Sequence, residues 1–326
     1  MWSFCVGNYW AYLLGIIIHQ PNNTHRIFIL SASLIKRIAH RMSFQSISII
    51  VPVYNDPEGV EITIRSIQPQ LRETPARLIV VDNDSTDRTP DVVRSYADDD
   101  RITLLHESDI QSSYAARNTG VRHTDSEILA FVDADMTVPE DWLESALNEF
   151  QSSNADYMGC NVDLTLPEKP TLAARYDFHT GFPVEQYLKH HQFAPTCCLF
   201  ARREVFEDVG LFDHRLTSGG DKEFGNRVHQ AGYDMHFAEN VTMYHPTRNS
   251  LRSHLKKDLR VGRGLCQLQR YHPNRYGTPG VPPRPSGIKQ PDRELPLDDR
   301  FAFTALSTFL TSVRGIGYYT EYMRNN

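Results

Sequence analysis

From Ser46 onward, short apolar runs alternate with amphipathic stretches. Ile47 to Val53 is an apolar run ended by Pro and Asn, which predicts a buried parallel strand followed by a loop. Val60, Ile62, Ile64 and Ile67 suit a short helix. Leu78 to Val81 predicts a second strand closed by an Asp/Asn/Ser/Thr cluster, then a helix through Val92, Val93 and Tyr96. Ile102 to Leu105 and Ile128 to Val132 predict the third and fourth strands, with a helix over Tyr114 to Arg122 between them. Thr137 is placed to cap a helix with Pro139 in its first turn and Trp142, Leu143, Ala146, Leu147 and Phe150 facing inward. Strands alternating with helices argue for a doubly wound α/β sheet, whose ligands lie beyond the strand C-termini.

The second half has another rhythm. Tyr157 to Leu164 is strand-like, and 167–195 is mixed and reads as a loop over a cleft. Asn249 to Tyr271 predicts a basic amphipathic helix carrying Leu251, Leu255 and Leu259. Arg252, Lys256, Lys257, Arg260, Arg263 and Arg270 would either meet anionic headgroups or stay solvated while the leucines pack inward. Pro273 to Pro296 holds seven prolines and reads as a linker or strap. Phe301, Phe303, Leu306, Phe309, Leu310 and Val313 follow as a short apolar helix.

At the other end, Met1 to Ile18 carries no charge. It sits at the lower edge of the ~17–25 residues that cross a bilayer. Arg26, Lys36, Arg37 and Arg41 follow it, which would place the remainder at the cytoplasmic face of the membrane. Met42 offers a competing start, in which case 1–41 is untranslated and the protein is soluble in the cytoplasm. The domain reading is therefore an extension over 1–41, a main domain over 42–271 divided near 150, and a strap with a terminal helix over 272–326.

Composition adds exclusions. The chain has 326 residues, 40% hydrophobic and 23% charged, enough for a large core and unlike a disordered tail or a disulfide scaffold. A net charge of −6 supplies no global field for nucleic acid or acidic lipid. The five cysteines, Cys5, Cys160, Cys197, Cys198 and Cys266, form no CxxC pair, which favours a reduced compartment and no zinc site.

Candidate chemistry collects at the predicted strand ends. Phe131-Val132-Asp133-Ala134-Asp135 places two carboxylates one residue apart at the open end of a parallel sheet. They can hold a hard divalent cation that completes its shell with phosphate oxygens and water, or simply form a polar turn. The first strand ends in Pro52-Val53-Tyr54-Asn55-Asp56, the second in Asp82-Asn83-Asp84-Ser85-Thr86-Asp87, and Ala116-Arg117-Asn118-Thr119-Gly120 precedes the fourth. Farther on, Thr217-Ser218-Gly219-Gly220-Asp221-Lys222-Glu223-Phe224 sets Asp221 at the start of a helix, as a simple cap or as a functional carboxylate.

Taken in this order, the segments over about 46–270 resemble the inverting family 2 glycosyltransferases. The resemblance implies a GT-A-type fold: a doubly wound, mostly parallel sheet with a mixed acceptor-side half and C-terminal helices. It implies a nucleotide-diphosphate sugar donor, with Pro52, Tyr54, Asn55, Asp82 and Asn83 around base and ribose. Many relatives carry Asp where this chain has Asn83, so the nucleotide stays open. Arg117 matches an arginine near the donor phosphates, together with Asp133. Mg²⁺ or Mn²⁺ would be held by Asp133, Asp135 and His245, and Asp221 would be the catalytic base. The acidic residue that usually precedes this base is replaced by Gly220. A glycan acceptor, polyprenyl-linked as for many similar enzymes, and a place at the membrane surface are further implied, with no nucleic acid partner. Two other classes compete. A sugar-phosphate nucleotidyltransferase would want a Gly-rich basic loop where Tyr54-Asn55-Asp56-Pro57 stands, and a non-catalytic sugar-binding module would have little need of both Asp135 and Asp221.

Overall fold

The computed structural model describes residues 46–283 and 297–324. The apolar Met1–Ile18 segment, Cys5 and most of the Pro-rich strap lie outside the described residues. Among the described residues, seven strands form one sheet in the order β3-β2-β1-β4-β6-β5-β7. The strands are β1 (Ile47–Val53), β2 (Ala76–Asp82), β3 (Ile102–His106), β4 (Ile128–Val132), β5 (Tyr157–Thr165), β6 (Cys198–Arg202) and β7 (Met235–Pro246). β3, β2, β1 and β4 run parallel. β6 runs antiparallel to both β4 and β5, and β7 parallel to β5. This is the expected mostly parallel sheet with a mixed second half.

Every residue of β1 and β4 is buried, which is why both read as apolar runs, broken only by Ser48. Helices α1 (Pro57–Ile67), α2 (Thr89–Arg94) and α3 (Ser113–His123) connect the parallel strands. In α1, Asp56 accepts the Gly59 N–H at 3.0 Å and Pro57 fills the first turn. Val60, Ile64 and Ile67 point inward, while Ile62, out of phase, is exposed.

Helix α4 (Trp142–Ser152) buries the expected apolar residues but starts later than the Thr137–Pro139 signal. Thr137 is committed elsewhere, exchanging both backbone bonds with Tyr244. The cap comes from far away in sequence: Gln70 accepts the Leu143 N–H at 2.8 Å and donates to the Pro139 carbonyl at 2.8 Å. Residues 167–195 are more ordered than a loop, folding into α5 (Leu172–Thr180) and α6 (Val184–His191). A short helix, α7 (Arg203–Val209), follows β6.

Helix α8 (Gly220–Gln230) is anchored by aromatic packing. Phe224 stacks on Phe206 with centroids 4.6 Å apart and lies 4.6 Å from Phe212, which meets Phe131 of β4 edge-on at 5.4 Å. Asn118 of α3 clasps the Phe212 backbone with two hydrogen bonds, of 2.9 and 3.1 Å. The start of α8 is thereby fixed relative to α3 and the end of β4.

Helix α9 (Leu251–Tyr271) has the expected extent, followed by the single turn α10 (Pro273–Tyr276). The terminal helix α11 (Leu297–Arg324) is much longer than the apolar stretch suggested. Phe303, Leu310, Val313 and Tyr318 are buried, whereas Phe301 and Phe309 face outward. α11 packs closely along α9. A Cβ on Gly262 would come within 2.0 Å of the Arg314 carbonyl oxygen, and one on Gly317 within 2.3 Å of the Leu259 carbonyl oxygen. Asp258 pairs with Arg314 at 2.5 Å across this contact, and Arg270 with Glu321 at 3.3 Å. Arg270 is therefore not a free surface cation. Cys160, Cys197, Cys198 and Cys266 are buried free thiols. Among the described residues no helix is long and apolar enough to cross a membrane.

Candidate active site

The ends of β1, β2 and β4 and the start of α8 open onto one region. A cavity of about 500 Å³ is lined by Pro52, Tyr114, Arg117, Asp133, Asp221 and His245, together with residues of α5, α6 and α9. Beside it, a recess of about 350 Å³ is lined by Pro52, Val53, Tyr54, Asn83, Gln111, Ser112 and Ser113. Another, of about 370 Å³, holds Asp135, His245 and the residues leading into α9. Pro52 and Ser113 border the first two spaces, and His245 joins the cavity to the third.

The residues expected around base and ribose take different places. Tyr54 is 48% exposed beside the small recess. Asn83 is buried and its amide is committed, donating to the carbonyls of Glu107 (2.8 Å) and Ile110 (2.9 Å). Only its oxygen remains for a ligand, so Asn83 can act as an acceptor, as an aspartate would. Asn55, with φ at +49°, lines none of these spaces. Its side-chain oxygen takes the Thr86 N–H at 2.8 Å and ties the β1 and β2 loops together. Asp82 is buried at the end of β2, where Oδ2 meets His106 and the Ser85 N–H, both at 3.3 Å, and Oδ1 is buried without a partner.

Arg117 is buried on α3 and holds Asp133 at 2.5 Å. Its Nε is buried and unpartnered. Arg117 lines the cavity, so its orphaned Nε marks a place where a polar ligand would offset a desolvation cost of ~1–3 kcal/mol, whereas Asp82 lines none of the three spaces. Asp135 faces His245, with Oδ1 3.6 Å from Nε2. The other ring nitrogen, Nδ1, lies 2.7 Å from the Pro246 carbonyl. A carbonyl can only accept, so Nδ1 carries a proton, and in the neutral ring Nε2 presents a lone pair to the carboxylate. Two acceptors in that relation call for a proton or a cation between them. Burial pushes the Asp135 carboxyl upward from its usual range, against the pull of His245.

Among the described residues, no three His, Cys, Asp or Glu side chains converge tightly enough to cage a metal. Asp135 and His245, with Asp133 nearby but tied to Arg117, fit a cation that takes few protein ligands and leaves positions for phosphate oxygens. The donor set suits Mg²⁺ or Mn²⁺ in that manner only.

Asp221 lies in the first turn of α8, past the cap position, which Gly219 occupies with φ at +85°. Asp221 is therefore not the cap residue, although its Oδ1 accepts the first-turn Lys222 N–H at 2.9 Å, and its side chain lines the cavity. Protein surrounds it on most sides, and this desolvation raises its carboxyl, with Arg117 and Arg260 acting against the rise. The preceding Gly220 has a steric reason. Its N–H donates to Tyr114 Oη at 2.9 Å, and a Cβ there would stand 2.7 Å from the Tyr114 ring. The place of an acidic side chain is filled by that tyrosine.

The sequence reading did not anticipate Tyr114, the aromatic wall of Phe182, Tyr187 and Phe193, or the inward cations of α9. Lys257 and Arg260 line the cavity instead of belonging only to an outer basic face, because successive helical residues differ by about 100°.

Residues 48–210 match glycosyl transferase family 2. Glycosyltransferase AglE of Haloferax volcanii is 37% identical over 224 residues, 68% of this chain and 73% of that protein. A pre-mycofactocin glycosyltransferase of Mycobacterium tuberculosis is 27% identical over 242 residues, 72% of this chain and 49% of its own length. Among solved structures, mannosyltransferase PcManGT from Pyrobaculum calidifontis, in complex with GDP-Man and Mn²⁺, matches with a TM-score of 0.56 at 20% identity, covering 87% of this chain and 74% of that one. Residues 1–349 of S. aureus TarS, in complex with UDP-GlcNAc, match with a TM-score of 0.51 at 15% identity, over 71% of this chain and 73% of that one. The strand order and these matches agree on a GT-A-type fold, and the chain is a glycosyltransferase belonging to family 2.

Proposed function

We propose that the protein moves a sugar, with inversion, from a nucleoside-diphosphate donor to a hydroxyl of a glycan acceptor. The observation that carries this reading is that Asp221 shares one cavity with Arg117, Asp133 and the end of β1. The base and ribose would lie along Pro52, Tyr54, Asp82 and Asn83, and Arg117 would face the phosphates. Asp133, Asp135 and His245 would hold Mg²⁺ or Mn²⁺, which when bound neutralises charge on the departing diphosphate. Asp221 takes the acceptor hydroxyl's proton as its oxygen attacks the anomeric carbon. The donors and metal named for PcManGT and TarS support this assignment of ligand class.

A panel of UDP- and GDP-sugars, each with and without Mn²⁺, tests it by thermal shift and donor hydrolysis. One nucleotide class should raise Tm, and more strongly with metal. Absence of any shift across the panel would overturn the reading.

The acceptor, on this proposal, is a lipid-linked glycan met at a membrane surface. The exposed positions of α11 between Arg300 and Arg324 include Phe301, Phe309, Ile316, Tyr319 and Met323 and carry no charge. On the neighbouring α9, Arg252, Lys256 and Arg263 are exposed at helical spacing. An uncharged strip beside a row of cations suits an anionic bilayer surface. The full chain should co-sediment with phosphatidylglycerol vesicles at moderate salt. Phe309→Glu together with Ile316→Glu should weaken that about tenfold or more, given the apolar area removed. Failure to bind, or binding indifferent to both substitutions, removes the α11 surface from the account.

A further inference from the structure

The cavity wall holds three cations with no part in the donor site described above: Arg248, between β7 and α9, and Lys257 and Arg260, one turn apart on α9. Among the described residues, Asp177 of α5, itself buried, is the carboxylate that pairs with the first two. It accepts the Arg248 N–H at 2.9 Å, meets the guanidinium at 3.3 Å, and lies 4.0 Å from the Lys257 ammonium. One carboxylate therefore serves two cations, and Arg260 makes no ion pair among the described residues. Over the whole cavity, Arg117, Lys222, Arg248, Lys257 and Arg260 face Asp133, Asp177 and Asp221. The excess is positive and lies on the α9 side, since Arg117 and Asp133 neutralise each other.

Lys257 bears the cost of this arrangement, while Arg260 keeps contact with solvent. Burial, with Arg248 adding repulsion, pulls the Lys257 ammonium down to about 8. The same wall carries sugar-sized aromatic faces: Phe182 lines it, and Tyr187 stacks on Phe193 with centroids 5.0 Å apart. Arg260 is felt by Asp221, so the excess charge reaches the carboxylate that would receive the acceptor's proton.

We infer that Arg248, Lys257 and Arg260 form a subsite for an anionic group on the acceptor, a phosphate or a carboxylate close to the hydroxyl that is glycosylated. The inference rests on the transferase reading and adds the acceptor's charge to it. Guanidinium groups match either anion through paired N–H donors, and the ammonium adds a point charge. A neutral acceptor would leave this charge unmatched, and the donor diphosphate already has Arg117 and the Asp135–His245 pair.

Calorimetric titration tests this on the full chain saturated with Mn²⁺ and whichever of UDP or GDP raises Tm. Methyl phosphate and glucuronate are the two probes. At least one should bind on top of the nucleotide, and which one does so separates the phosphate source from the carboxylate source. Lys257→Gln with Arg260→Gln should weaken that probe about tenfold or more, with nucleotide affinity unchanged, and Lys257→Arg should retain it. The subsite is overturned if neither probe binds the nucleotide-saturated protein, if the double variant binds the probe as well as the parent, or if it loses nucleotide affinity instead. That last result would give the cations to the donor diphosphate. Failure of the parent protein to bind either nucleotide would be the separate failure of the transferase reading, and this inference would fall with it.

Discussion

Asp221→Asn should lower sugar transfer by about 10²–10⁴-fold, the usual worth of a positioned general base, while nucleotide affinity stays unchanged. The amide keeps the shape of the carboxylate and can still accept the Lys222 N–H that Oδ1 takes at 2.9 Å. What it loses is the ability to hold a proton. Thermal stability should move the other way. Desolvation raises the Asp221 carboxyl above its ordinary value, so the folded state holds this proton more tightly than the unfolded chain. Stability therefore falls as pH rises from the unfolded value through the raised folded one, and the ionised form carries that cost at neutral pH. Removing the charge should raise Tm at pH 7 and leave it nearly unchanged well below both values. The parent enzyme's activity should fall on the acid side at a pH above that of an ordinary carboxylate. Matched kinetics and melting curves decide the matter: an Asn variant that turns over normally, or that melts earlier at neutral pH, contradicts the base in a desolvated site.

The nucleotide half was legible because local pattern and global fold agree there. β1 and β4 are buried on both faces and read as apolar runs, and the polar clusters after them are the strand ends that open onto the cavity. What stayed hidden, at the start of α4 and through the second half, depends on partners distant in sequence. The cap of α4 is Gln70, more than seventy positions away, and no local signal announces it. β6 is a five-residue strand whose antiparallel pairing with β4 depends on partners distant in sequence. Helices α5 and α6 are short and mixed in composition, since one side faces a polar cavity instead of a core. Gly220 looked like a missing acid in isolation. The Tyr114 ring that requires a glycine there lies on α3, visible only once the chain has folded. The inward turn of Lys257 was readable in principle. Its neighbour Asp258 packs against Arg314 on α11, which fixes the rotation of α9 and carries Lys257 toward the cavity.

Asp135→Ala should abolish metal-supported transfer and leave the fold intact. Among the described residues its carboxylate pairs with His245, at 3.6 Å, and burial already raises its proton affinity. Losing a carboxylate held above its ordinary value should not lower Tm at neutral pH, by the same sign argument as for Asp221. Asp133 is the informative comparison, because its 2.5 Å pair with Arg117 is structural as well. Asp133→Ala leaves the Arg117 guanidinium without its carboxylate at the cavity wall, which should cost ~1–3 kcal/mol and lower Tm measurably. Asp135→Ala should instead act on Mn²⁺ alone, removing the metal-dependent part of nucleotide stabilisation. Chelator-treated parent enzyme should lose transfer and regain it with Mn²⁺ or Mg²⁺, and the Asp135 variant should not respond to either ion. Full transfer in excess chelator would dismiss the metal. A variant still rescued by Mn²⁺ would move the ion away from Asp135, leaving Asp133 and His245 to hold it.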